Sequence, residues 1–181
     1  MKRLQRDSVI IELADRLREH GSWCGETNIQ KATYFLQSLF DPELDFDFIL
    51  YRHGPFSFEL RDELLSMRGD GLLKLEPANP YGPRIKPTQT GEKLKTTYPR
   101  TLGRRRMAIA FLGERLGPKD VNQLERVATA LYVTRSQPAA SIAERAQEII
   151  ELKPHISEAR ATAAVEEVDA LLAEAEALRN A

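Results

Sequence analysis

Apolar side chains recur at helical spacing through both ends of the chain and at strand spacing only near its middle. Ile10, Leu13, Ala14 and Leu17 fall at i, i+3, i+4 and i+7, which predicts an amphipathic helix over residues 5–20, stopped by Gly21. A second helix is predicted over 28–40, with Thr27 and Gln30 as a capping box. Ile29, Ala32, Thr33, Leu36 and Phe40 line one of its faces, and Phe35 and Leu39 widen it. So wide an apolar arc implies a central, buried helix. Asp41-Pro42 breaks the chain. Phe46, Phe48 and Leu50 then alternate with Asp45, Asp47, Ile49 and Tyr51, which predicts a strand ended by Gly54-Pro55. Ser57 caps a third helix that runs to about 68 and buries Leu60, Leu64 and Met67.

Two short strands follow, Leu72–Glu76 and Arg84–Thr88, joined by a turn-rich loop from Pro77 to Pro83. Helix, short strand, loop, short strand is the order of the second half of a winged helix, with the loop as its wing. Thr90 caps a short helix over 91–97, before Pro99. From about 104 the pattern is helical to the end, broken by Gly117-Pro118, by a stretch before Ser141 and by Pro154. The expected architecture is mostly α with a small β component. A winged-helix-like domain spans 1–100, and a helical extension over 101–181 packs on it or continues it as one domain.

Composition narrows the function classes. The 181 residues are 42% hydrophobic and 29% charged, which are ordinary globular values. One cysteine, Cys24, allows no intrachain disulfide and fits a reducing compartment. Asp7, Glu12 and Asp15 interrupt the basic, apolar start that a leader would need, and no apolar run is long enough to cross a bilayer. The expectation is a cytoplasmic protein with no membrane partner.

The net charge of −1 conceals an asymmetry: residues 1–106 carry +3 and residues 107–181 carry −4. Within 84–106, eight basic side chains face one acid, Glu92, for +7. Arg84, Lys86, Arg104, Arg105 and Arg106 are therefore candidates for phosphate contact beside a wing. The third helix argues against that role: Glu59, Asp62 and Glu63 against Arg61 and Arg68 make a poor reader of the major groove. The other reading of the run is internal, as a counter-charge to the acidic C-terminal helices.

Catalytic chemistry finds no foothold. His20, His53 and His155 each stand alone, without H-x-x-x-H or C-x-x-C spacing, so no metal site is expected. No base neighbours Cys24, which reads as a small buried residue beside Trp23. Asp45/Asp47 and Asp62/Glu63 read as solvated faces, and Gly69-Asp70-Gly71 lacks the Lys-Ser/Thr of a phosphate loop. No enzyme activity and no cofactor are expected. The most distinctive local cluster is Tyr51, Arg52, His53 and Phe56 around the Gly54-Pro55 turn. It reads either as a folding motif or as a protein-contact patch, since aromatics beside Arg make good anchors. A homodimer through the C-terminal helices is a further expectation, should their apolar faces exceed what the core covers.

Four segments carry a family resemblance: Ile29-Gln30-Lys31-Ala32-Thr33-Tyr34-Phe35-Leu36-Gln37, Tyr51-Arg52-His53-Gly54-Pro55-Phe56-Ser57 with Glu59-Leu60, Ala128-Thr129-Ala130-Leu131-Tyr132, and Leu152-Lys153-Pro154-His155-Ile156-Ser157. Together they resemble the YwgA-like proteins, an uncharacterised prokaryotic group. More distantly, the first two look like the Panacea domain, a module of many bacterial antitoxins, from which this chain departs in its longer helical C-terminal half. The resemblance implies a non-enzymatic protein-interaction or regulatory module, antitoxin-like, with a toxin as one class of partner. The alternative is a winged-helix DNA-binding transcriptional regulator that uses the basic 84–106 stretch.

Overall fold

The structure, a computed structural model, describes residues 1–180. Helix α1 (Arg3–Glu19) leads to α2 (Glu26–Leu39) and a 3-10 turn (Pro42–Leu44). Strands β1 (Ile49–Tyr51) and β2 (Gly54–Phe56) precede α3 (Phe58–Gly69), which is followed by β3 (Leu73–Glu76) and β4 (Arg84–Pro87). Then come α4 (Gln89–Thr97), α5 (Pro99–Leu116), α6 (Val121–Ser136), α7 (Ile142–Leu152) and α8 (Glu158–Asn180). The fold is mostly α with a small β component, as the periodicity predicts. No helix among the described residues is long and apolar enough to cross a membrane.

The breadth of α2's apolar arc has the expected consequence: every residue from Asn28 to Leu36 is buried. This helix packs against α1, α5, α6 and β2, and α7 and α8 pack against α6 and against each other. One hydrophobic cluster contains Leu13, Phe35, Leu60, Leu112, Leu131 and Val168, so the core runs through both halves of the chain. Val165, Val168, Leu171 and Leu172 of α8 face this core, and Leu178 lines a surface cavity beside Met107. Among the described residues, the large apolar side chains exposed on the C-terminal helices are Met107, Val121, Ile142 and Leu152, on α5, α6 and α7.

Local signals place several element ends. Ser57 Oγ accepts from Leu60 N at 3.2 Å and Ser141 Oγ from Glu144 N at 3.3 Å, capping α3 and α7. Thr88, rather than Thr90, caps α4 by accepting from Gly91 N at 3.2 Å. At α2, Asn28 Oδ1 accepts from Gly25 N at 3.0 Å, which replaces the predicted Thr27/Gln30 box. Pro99 opens α5, which starts earlier than the predicted 104, because the missing N–H costs nothing in the first turn.

The largest departure lies between α2 and α3. The strand predicted over 46–51 contracts to β1, and Gly54-Pro55 begins a second strand instead of ending the first. The two form an antiparallel hairpin in which Ile49 faces Phe56 and Tyr51 faces Gly54, turning at Arg52-His53. Downstream, β3 and β4 pair antiparallel with Leu73 opposite Pro87, so the predicted helix–strand–loop–strand order is present. The loop is pinned by Trp23, whose Nε1 donates to Gly82 O at 3.1 Å.

Glu63, read from the sequence as solvent-facing, turns inward to accept from Arg3 at 2.8 Å and Arg6 at 2.7 Å. Asp7 lies fully buried beside it. Burial first, then the neighbouring Glu63, push the Asp7 carboxyl up to about 8, with Arg3 and Arg6 opposing. The folded state thus holds a proton that the unfolded chain releases near pH 4, so stability falls as pH rises through roughly 4 to 8. Asp7→Asn, whose amide imitates the protonated acid, should flatten that slope and stabilise the protein by about 1–2 kcal/mol at pH 8. Denaturant titrations at pH 5 and pH 8 check this, and an unchanged slope refutes it.

Candidate functional site

Three polar side chains on the buried face of α2 fix the segment that follows it. The Gln37 amide pairs with the Phe46 backbone in both directions, donating to its O at 2.8 Å and accepting from its N at 2.9 Å. The Gln30 amide does the same with Ser57, at 2.9 Å and 3.0 Å. Between them Lys31 Nζ donates to Pro55 O at 2.8 Å. A buried helix can carry such groups only if each finds a partner, and here the partners are the main chain of residues 46–57.

The same hairpin is held from the other side by α6 and the turn after α7. Lys153 Nζ donates to Tyr51 O at 2.8 Å and also to Arg52 O. Glu125 supplies the counter-charge: Oε1 lies 3.6 Å from Lys153 Nζ and 3.8 Å from His155 Nε2, and Oε2 lies 3.4 Å from His53 Nδ1. Lys31, Glu125 and Lys153 are all buried. Burial draws the Lys31 ammonium down to about 8; the Glu125 charge resists and the Lys153 charge assists. Gly54 closes the contact with α6. Its φ is +81°, and a Cβ there would lie 3.0 Å from Thr129 Oγ1 and 3.3 Å from Glu125 O. The four segments of the resemblance thus converge on one turn, through Gln30, Lys31, Thr129, Lys153 and His155.

Both ammonium groups donate to backbone carbonyls, so this cluster shapes the turn. What it presents outward is aromatic. Tyr51 and Phe58 are 47% and 41% exposed, and Phe56 lies half-buried between them. The Tyr51–Phe56, Tyr51–Phe58 and Phe56–Phe58 ring centroids are 5.8, 5.7 and 5.2 Å apart. The Arg61 guanidinium lies 5.0 Å from the Phe58 ring centre. Arg52 and His53 are exposed at the hairpin turn. Tyr51, Arg52, His53 and Phe56 thus share one small region. Phe58 and Arg61, which the sequence reading left out, complete it from the first turns of α3.

The basic stretch divides. Arg105 is buried, donating to Asp41 through Nε and Nη2 and to Glu43 at 3.1 Å. Lys86 pairs with Glu76 across the β3–β4 ribbon, and Lys95 with Glu12 and Asp15 of α1. The Arg84 guanidinium lies 4.0 Å from the Trp23 ring centre. The partners of the run come from the first half of the chain rather than from the acidic C-terminal helices. Arg100, Arg104 and Arg106 remain exposed on α5 with no ion-pair partner among the described residues. Of the five nucleic-acid candidates, only Arg104 and Arg106 stand free in solvent.

Cys24 is buried, with its Sγ 3.5 Å from Ala14 O, and burial pushes the thiol up to about 12, far from a nucleophile's range. Among the described residues, no group of three or more His, Cys, Asp or Glu side chains is placed to hold a metal ion. At the one point where His53, His155 and Glu125 approach each other, the Lys153 ammonium already supplies the positive charge. No protein-family model matches the chain, and no curated protein is significantly similar to it.

Proposed function

We propose that the chain is a non-enzymatic protein-interaction module whose contact surface is the Tyr51–Phe56–Phe58 aromatic face. The observation that carries this reading is the pairing of exposed aromatic rings with a buried clamp. Binding hot spots combine large, rigid aromatic side chains with Arg, and a preordered surface loses less entropy on docking. Here Tyr51 and Phe56 ride on a hairpin fixed by Lys31 and Lys153, and Phe58 and Arg61 extend the surface from the start of α3, where Gln30 holds Ser57. Antitoxin-like occlusion of a toxin is the form of this activity that the Panacea likeness suggests.

A nucleic-acid role draws its support from the exposed Arg104 and Arg106, with Arg100 beside them on α5. It is the weaker reading, because Arg84 and Lys86 of the wing strand are engaged and α3 exposes Phe58, Leu65 and acidic groups.

The test is affinity capture from native lysate followed by titration of the identified partner. Tyr51→Ala with Phe58→Ala should weaken that partner by about 2 kcal/mol or more, roughly 30-fold, with the melting temperature nearly unchanged. Undiminished affinity sinks the assignment of this face. Labelled duplex in the same titration decides the second reading: binding that fades with salt and is lost in Arg104→Ala with Arg106→Ala would put nucleic acid first.

A further inference from the structure

The solvent face of α3 is segregated by charge. At about 100° per residue, Phe58, Arg61, Leu65 and Arg68 fall within a sector of about 80°. Asp62 borders this sector about 40° beyond Phe58 and Glu59 lies about 100° beyond it, while Glu63 turns inward to Arg3 and Arg6. Leu65 is 53% exposed and Phe58 41%. Arg68 has no ion-pair partner among the described residues, and Arg61 meets only the adjacent, exposed Asp62 at 3.3 Å. Beside this stripe the helix and the β3–β4 ribbon enclose a groove of about 100 Å³. Leu64, Leu75, Pro83 and Ile85 give it an apolar lining, and Arg61 and Arg68 face one acid, Glu26, around it. Arg61 links the groove to the aromatic face of the hairpin, since it lines the one and lies against the Phe58 ring of the other.

We infer that this groove receives an acidic amphipathic helix of the partner protein, one apolar side chain entering between Leu65 and Leu75 and flanking carboxylates meeting Arg61 and Arg68. The spacing supplies the argument. Phe58 and Leu65 are seven residues apart, about 10.5 Å along the axis, and so are Arg61 and Arg68. A ligand helix repeats its anchors over the same interval, at i and i+7 with i+3 or i+4 between. The alternating Arg positions then require acids between those anchors, as electrostatic complementarity sets register and excludes wrong partners. A nucleic acid is the poorer fit, because the apolar lining has nothing to offer a phosphate or a base edge.

This inference rests on the protein-interaction reading and adds the chemistry of the partner. The probes are three labelled synthetic helices with leucine at i, i+3 and i+7, whose remaining positions are mainly glutamate, glutamine or lysine. Fluorescence anisotropy with the full-length protein should rank glutamate first and lysine last, and glutamate binding should weaken as salt rises. Arg61→Glu with Arg68→Glu should lower affinity for the glutamate helix about tenfold or more and favour the lysine helix. Leu65→Asp should abolish binding. All three side chains are solvent-facing, so melting curves of the variants should match the wild type. Failure of the glutamate helix to bind overturns the inference, as does equal binding of the lysine helix or indifference to the double variant. If the helices fail while Tyr51→Ala still releases the captured partner, the acidic-helix assignment falls and the aromatic surface stands. If Tyr51→Ala also has no effect, both fall.

Discussion

Lys153→Met should lower the unfolding free energy by about 3–5 kcal/mol, the cost of leaving a buried carboxylate without its partner. Methionine keeps nearly the length and volume of the lysine stem, so little of that loss comes from packing. It comes from two sets of groups. The carbonyls of Tyr51 and Arg52, both held by Lys153 Nζ, lose their donor at the turn of the hairpin. Glu125, 5% exposed, loses the buried ammonium at 3.6 Å and keeps the weaker approaches of His53 and His155 and the more distant charge of Lys31. Urea denaturation reads the change as a shifted midpoint at constant slope. Glu125→Gln placed on the Lys153→Met background should recover part of the loss, because it removes the stranded charge. A loss below about 1 kcal/mol, or strict additivity in the double variant, would mean that water already satisfies these groups. The consequence for binding follows directly: Tyr51 projects from the backbone that Lys153 fixes, so the variant should also weaken the partner even where it remains folded.

The helices were legible because each carries its own evidence. The Ile10–Leu17 spacing, Ser57 and Ser141 caps and the Pro154 break act within a few residues of where they are read. The hairpin was not, because what ends β1 early and starts β2 lies elsewhere. Gln37 takes the Phe46 backbone that would have extended the strand, and Lys31 holds Pro55 from 24 residues away. A signal did exist. A central helix with a wide apolar arc also buries the polar residues that flank that arc, so Gln30, Lys31 and Gln37 were committed to buried partners before those partners were known. The exposed cluster at Tyr51, Arg52, His53 and Phe56 was readable because it is contiguous. Phe58 and Arg61 were adjacent to it but were absorbed into the third helix. Lys31, Glu125 and Lys153 could not be joined, since only the packing of α2 and α6 and the turn after α7 against one turn brings them together. Charge misleads for a related reason. A run of basic residues is a property of the chain, and a basic surface is a property of what remains unpaired after Asp15, Asp41 and Glu76 have taken their share.

That distinction predicts unequal effects at three consecutive arginines. Arg105→Ala should cost about 3 kcal/mol, whereas Arg104→Ala and Arg106→Ala should each stay within about 0.5 kcal/mol of the wild type. Arg105 forms a two-pronged pair with Asp41, with Nη2 at 3.0 Å from Oδ1, and donates back to Thr101 O at 3.1 Å. The bond to Asp41, opposed by burial, raises the guanidinium pKa further above its ordinary value, so the charge is permanent. Asp41 is only 6% exposed and sits where the chain leaves α2, so losing its partner strands a carboxylate at the junction that directs the chain toward β1. Arg105→Lys should recover only part of the loss, because an ammonium cannot reproduce the planar fork. Thermal denaturation of the single variants reads the pattern. It also decides how a nucleic-acid experiment must be built: removing all three arginines would abolish binding by damaging the fold, whatever the surface does. Only Arg104→Ala with Arg106→Ala separates the two causes. Should Arg105→Ala keep a native melting curve and still lose duplex binding, the ion pair with Asp41 is dispensable for folding and the guanidinium belongs to the nucleic-acid surface after all.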